Sequence, residues 1–169
     1  MLPTYTPELL DALEGAARPF DGWIWRAVIG DSDPERPNTR GARWNPPRVE
    51  ALYFSLNAKG AHNELDAVIA RQPVPIRRPL RLFRFRAVLD RMAYLTGDTL
   101  ASVGYPVETL IGEGWAGPST IGGAASWLGL SGLLVPSARH RGSNLVVFVQ
   151  NLGPRERVEL VDAGYGLTI

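Results

Sequence analysis

Four polar side chains in this sequence have chemically useful types and suggestive surroundings. Arg43 precedes a Trp-Asn-Pro loop, and Tyr53 sits on the polar side of an otherwise apolar strand. Glu64 borders the apolar stripe of a helix, and Ser137 follows Val135-Pro136 at the end of an apolar run. A guanidinium binds oxyanions through a planar fork. A tyrosine combines a stacking ring with a hydroxyl, a carboxylate supplies negative charge, and a serine hydrogen-bonds. Each residue alone also has a plainer role: Arg43 as a loop brace, Tyr53 as a core-edge aromatic with its hydroxyl in water, Glu64 as a solvated helix acid, Ser137 as a loop former after proline. Spacing alone assigns no enzyme class.

The elements that must carry these residues are readable from periodicity. Thr6 caps a helix with Pro7 in its first turn, Tyr5 and Leu10 are placed as a hydrophobic staple, and Leu9, Leu10, Leu13, Ala16 and Ala17 form its apolar stripe up to a stop at Pro19. Residues 23–29 read as a strand apolar on both faces except at Arg26, followed by a polar, proline-containing loop at 31–39. Residues 51–56 alternate, with Leu52, Phe54 and Leu56 on one face and Tyr53 and Ser55 on the other. Residues 58–71 read as a helix capped by Asn57, with Ala61, Leu65, Val68 and Ile69 as its buried stripe; Glu64 lies at the edge of that stripe and Asp66 points away. Further strands are expected at 80–89, 133–135, 145–149 and 157–161, partial helix at 92–109, a glycine-rich loop at 113–123 and a short helix at 124–128. Strands and helices are interspersed, so the fold class is mixed α/β or α+β, in a single domain over 1–169.

Composition removes several functions. With 169 residues, 45% of them hydrophobic, the chain is long enough for one well-packed core, and it contains no cysteine for disulfides, thiolate nucleophiles or Cys-zinc sites. His62 and His140 share no ligand spacing and are expected as surface or loop residues, so no metal is expected. No apolar run suits a membrane span, and the N-terminus does not read as a secretory signal, which places the expectation in the cytoplasm. Net charge is +1, too little for strong attraction to nucleic acid. The glycine-rich stretch 112–132 lacks the order of a phosphate loop and is expected to be a flexible loop. Arg77, Arg78, Arg81, Arg84, Arg86 and Arg91 interleave with Phe83 and Phe85. A nucleic-acid-binding module is therefore an alternative of a different class, weakened by the strand pattern in the same residues.

The ordered motifs resemble the RES-domain family, named for its Arg, Glu and Ser. Trp25-Arg26 resembles the family's opening aromatic–Arg strand, Gly41-Ala42-Arg43-Trp44-Asn45-Pro46 its G-x-R-W-N-P signature, and Leu52-Tyr53-Phe54-Ser55 its Y-x-S strand. Glu64 stands at the family's helix glutamate, Leu134-Val135-Pro136-Ser137 resembles V-P-S, and Asn144 falls at the asparagine that follows. The spacing from Arg43 to Tyr53 to Glu64, ten then eleven residues, also fits, and the resemblance covers roughly 22–152. Two stretches depart from the pattern. Residues 121–127 lack the aspartate of the family's Gly-Asp-x-W segment, and Val147-Phe148-Val149 replaces its Asn-Pro.

The resemblance implies a mixed-sheet fold similar to ADP-ribosyltransferases and a toxin that depletes NAD by breaking its nicotinamide–ribose bond. NAD is then substrate rather than bound cofactor, with water or phosphate as acceptor. It implies Glu64, Arg43 and Tyr53 as catalytic residues, with Arg26, Trp44, Ser55, Ser137 and Asn144 binding substrate or fixing the loops. In this reading Glu64 stabilises an oxocarbenium-like ribose and Arg43 grips the pyrophosphate, with Arg26 as a second anion contact. The implied partner is an antitoxin with an Xre-type helix-turn-helix domain, and a homodimer is compatible with the family. Transfer of ADP-ribose to a protein would use much the same site, and delivery to competing cells as a secreted effector is a further alternative.

Overall fold

The computed structural model describes residues 4–75, 77–95, 99–137 and 142–167; side chains are described up to Asp162. Helix α1 (Pro7–Gly15) leads into strand β1 (Ala17–Ile29), and β2 (Ala51–Ser55) leads into α2 (Ala58–Ala70). Then follow β3 (Leu80–Tyr94), α3 (Val107–Ile111), α4 (Ala116–Trp127), β4 (Gly132–Pro136), β5 (Ser143–Phe148) and β6 (Arg157–Leu167). This is the expected mixed α/β class. Both anticipated caps form: Thr6 Oγ1 accepts from Leu9 N at 3.3 Å and Asn57 Oδ1 from Gly60 N at 2.7 Å. Among the described residues no helix is long and apolar enough to cross a membrane.

The six strands run in the order β1-β2-β5-β4-β3-β6, and β1 also pairs with β3. That extra pairing closes β1, β2, β5, β4 and β3 into a ring. Length makes the closure possible. One edge of β3 pairs antiparallel with β1 from Leu80 to Ala93; its other edge pairs with β6 from Leu80 to Val88 and with β4, in parallel, at Met92–Tyr94. By contrast, β1 and β2 meet at one register position, Trp25 opposite Ser55. Alternation sends Ile24, Val28, Leu52, Phe54, Phe83, Phe85, Leu145 and Val147 into one core, inside the ring. The outward positions Ala51, Leu133, Val135, Val146 and Phe148 join Leu9, Leu13, Leu110, Ile121 and Ala124 in a second core, covered by α1, α3 and α4.

Several expectations are corrected. Pro19 does not end the first helix, which stops at Gly15; it sits inside β1, between register-shifted Arg18 and Phe20, where a missing N–H costs no ladder bond. Residues 92–94 extend β3 instead of starting a helix, and among the described residues of that stretch the helical ones are Val107–Ile111 and a 3₁₀ turn at Ala101–Val103. The glycine-rich segment is mostly helix: Ala116–Trp127 is helical despite Gly117, Gly122 and Gly123, residues 113–115 precede it as loop, and the short helix expected at 124–128 is its C-terminal end. Of the stripe expected to be buried in α2, only Ala61 is, and Val68 is 49% exposed. The basic segment is largely committed internally. Arg84 pairs with Asp162, Arg86 with Asp21, and Arg81 donates to the carbonyls of Gly30 and Ser32. His62 pairs with Asp66 across one helical turn at 3.0 Å, and His140 lies outside the described residues.

One carboxylate ties the sheet's far end together. Glu156 accepts from Asp90 N at 2.8 Å, from Gly153 N at 3.0 Å and from Ser131 Oγ. Burial alone would raise its pKa, but these hydrogen bonds hold it below the ordinary glutamate value. A depressed folded pKa gives stability that is present above the unfolded pKa and lost as pH falls through the folded one. Glu156→Gln should therefore lower stability near neutrality and flatten its loss on acidification, measured as denaturant midpoints between about pH 7 and pH 3.

Candidate active site

The single contact between β1 and β2 leaves a cleft of about 270 Å³ beside it, with α2 as one wall. Its lining includes Trp25 and Arg26 of β1, Tyr53 and Ser55 of β2, Glu64 of α2 and Asn144 of β5. Register explains the grouping. Trp25 faces Ser55, Ser55 faces Asn144, and Asn144 faces Val135, so these side chains form one row across four strands on the outer face. Ser137, two residues beyond Val135, extends that edge of the site.

Glu64 is anchored to this row. Its Oε1 accepts from Ser137 Oγ at 2.5 Å and from Asn144 Nδ2 at 2.9 Å, while Asn144 Oδ1 accepts from Ser55 Oγ at 3.2 Å. Hydrogen bonds to a carboxylate are charge-assisted. Three strands and a helix therefore fix the position of one negative charge. Ser137 is itself held by its backbone N–H, which donates to Gly142 O at 3.0 Å.

Arg26 supplies positive charge at the same cleft. It shares its strand face with Ile24 and Val28 of the inner core, and burial lowers its pKa although Asp33 partly opposes this. Nη2 donates to Arg36 O at 3.2 Å, whereas Nη1 is buried and has no hydrogen-bond partner among the described residues. An unsatisfied buried cationic donor is costly.

Residues 42–45 form a tightly held turn next to the cleft. Ala42 N donates to Asn45 O at 2.9 Å. Arg43 turns its Nε to Leu110 O at 3.2 Å and its Nη2 to the carbonyls of Leu110, at 2.7 Å, and Gly112. None of these bonds involves Nη1. Burial lowers the Arg43 pKa, and the negative charge of Glu64 acts against that lowering. The Trp44 indole is 3% exposed and belongs to the outer core, not the cleft. The Tyr53 hydroxyl accepts from Trp44 N at 3.0 Å and donates to Asn45 Oδ1 at 2.6 Å, and burial raises its pKa strongly. Tyr53 thus brings its ring to the cleft while its hydroxyl is occupied inside the protein.

The family model for the RES domain matches residues 12–164. This chain is a member of the RES-domain family. Among curated proteins it is similar to the NAD(+) phosphorylase MbcT of Mycobacterium tuberculosis H37Rv and of Mycobacterium bovis. Each is 26% identical over 136 residues, covering 74% of this chain and 73% of the relative. Among solved structures it shares its fold with a chain of the crystal structure of the M. tuberculosis MbcT–MbcA toxin–antitoxin complex. The TM-score is 0.82 at 23% identity, covering 96% of this chain and 93% of that one.

In this RES-domain chain the fold brings together Arg26, Tyr53, Ser55, Glu64, Ser137 and Asn144, with Arg43 in the adjoining turn and Trp44 turned into the core. Two residues that hold the turn are not apparent from side-chain chemistry. Asn45 is wholly buried and its Nδ2 donates to Val49 O at 2.8 Å; only its place between Trp44 and Pro46 hints at this. Gly122 lies in α4, where an added Cβ would come within 1.7 Å of Trp44 O. Gly122→Ala should force α4 off the turn and destabilise the protein by about 3 kcal/mol or more, read from a chemical-denaturation midpoint. Tyr53→Phe keeps the ring but strands Asn45 Oδ1 and the Trp44 N–H, so a loss of about 1–3 kcal/mol is expected in the same measurement.

Proposed function

We propose that this protein is a toxin of a toxin–antitoxin pair that breaks the nicotinamide–ribose bond of NAD, with phosphate as acceptor. The observation that carries this reading is the Glu64 carboxylate, held by Ser137 and Asn144 in a cleft that Arg26 also lines. The name of its relative MbcT, an NAD(+) phosphorylase, supports it.

The chemistry suits these groups. As the bond breaks, its electron pair leaves with the ring nitrogen and the cationic ring departs as neutral nicotinamide. Positive charge develops on the ribose, and an acceptor oxygen then bonds to the anomeric carbon, as in glycoside cleavage. Glu64 stabilises that charge from a fixed position, at little reorganisation cost. Arg26 is the second contact for an anionic oxygen of the pyrophosphate. Arg43 contributes field and turn geometry, with Nη1 as its remaining donor edge. Tyr53 offers its ring to the ribose, Trp44 anchors the turn, and Ser55, Ser137 and Asn144 orient the carboxylate. The leaving group needs no protonation, so a second carboxylate is not required.

The partner in this reading is an antitoxin, by analogy with the MbcT–MbcA complex. Its expected form is a helix-turn-helix protein that covers the cleft, acting in the cytoplasm on a toxin able to self-associate. Incubation with NAD, with and without phosphate, followed by product identification, tests the reaction. Phosphate-dependent release of nicotinamide and phosphorylated ADP-ribose is expected, and intact NAD would refute the proposal. Glu64→Gln, nearly isosteric but uncharged, should lower the rate at least about 100-fold with the fold retained, since removal of one electrostatic stabiliser costs on that order. A fully active, folded Glu64→Gln protein would show that another group supplies the charge.

A further inference from the structure

The cleft has an apolar side that neither core uses. Trp25 is half-buried opposite Ser55 and lines the cleft together with Leu65 and Val68 of α2. None of the three belongs to the inner or the outer core. The other aromatic rings nearby are already engaged. Trp23, two residues earlier on the same face, lies under the guanidinium groups of Arg84 at 4.4 Å and Arg86 at 5.4 Å. Phe54 sits edge-on to Phe85 in the inner core, and Tyr53 packs against the outer one. Among the described residues no cation or second ring covers Trp25 in this way.

Register fixes how far this ring stands from the charge. Neighbouring strands are about 4.8 Å apart, so Trp25 is about one spacing from Ser55 and about two from Asn144, which holds Glu64. A flat ring attached to a ribose whose anomeric carbon faces Glu64 would reach over the indole. Such a ring is cationic in oxidised NAD and uncharged in the reduced form. Tryptophan is the strongest aromatic partner for a cation, and apolar neighbours such as Leu65 and Val68 strengthen the attraction by excluding water.

We propose that Trp25 is a specificity-determining residue that stacks on the nicotinamide ring and selects its cationic, oxidised form; this rests on the NAD-cleaving function proposed above. The attraction has a direction along the reaction. The ring loses its positive charge as the bond's electron pair moves onto its nitrogen, so the contact is strongest in the bound substrate and fades towards the product. A contact that favours the ground state lowers KM without raising kcat. It also lets the neutral ring leave.

The test is steady-state kinetics of wild type, Trp25→Leu and Trp25→Phe with NAD, with NADH as a competitive inhibitor. KM for NAD should rise about 3- to 30-fold in Trp25→Leu, and less in Trp25→Phe, which keeps a weaker aromatic face. In both, kcat should hold or rise and should not fall, because the contact weakens as the bond breaks. NADH inhibition should weaken less than KM in the leucine variant. An unchanged KM in both variants, a fall in kcat at constant KM, or equal losses for NAD and NADH would overturn the role of Trp25. The phenylalanine variant keeps the test decisive if the leucine protein does not fold. A wild-type protein that leaves NAD intact would instead refute the function itself.

Discussion

Strands β1 and β2 touch at one pair, Trp25 with Ser55, because each has its main partner elsewhere: β1 runs along β3, and β2 runs along β5. A longer pairing would zip the gap shut and leave no cleft; with no pairing the ring would open and its inner core would meet water. The one retained pair puts the row of Trp25, Ser55 and Asn144 at the edge of the gap. Helix α2, starting three residues after β2 ends, is then the nearest element that can reach across to it, and Glu64 does so. The position of the charge is a consequence of strand register.

The electrostatics of the cleft follow from partial burial. Two arginines and a glutamate are withdrawn from bulk water, and desolvation depresses both guanidinium pKa values. Arg43 satisfies most of its donor edge with the carbonyls at the end of α3, whereas Arg26 keeps a buried donor without a partner among the described residues. The protein's own contacts thus treat the two guanidinium groups differently. The two side chains look alike in sequence and differ only in what the fold places against them.

Much of this was legible in the sequence. The apolar alternation of β2, the caps of α1 and α2, and the spacing of Arg43, Tyr53 and Glu64 were visible because each is a local or periodic signal. What escaped was set by tertiary contact. Glycine content argued for a loop where α4 forms, since propensity does not register that Gly122 is needed for close approach to Trp44. Leu65 and Val68 read as core from helical period, yet they face the cleft, because periodicity identifies a face and not what lies opposite. The joining of β3 to three partners depends on pairings far apart in the chain, which no window of sequence contains.

The close seating of α4 also bears on what keeps that helix folded. A twelve-residue helix with three glycines and an internal proline is a poor helix former, and short helices of that kind are marginal in isolation. Its stability has to come from the surface it lands on, chiefly the Trp44 backbone and the outer core. The helix therefore depends on the closed strand ring and on the Trp44 backbone to stay folded. The turn bearing Arg43 and this helix support one another, so loosening either would loosen both.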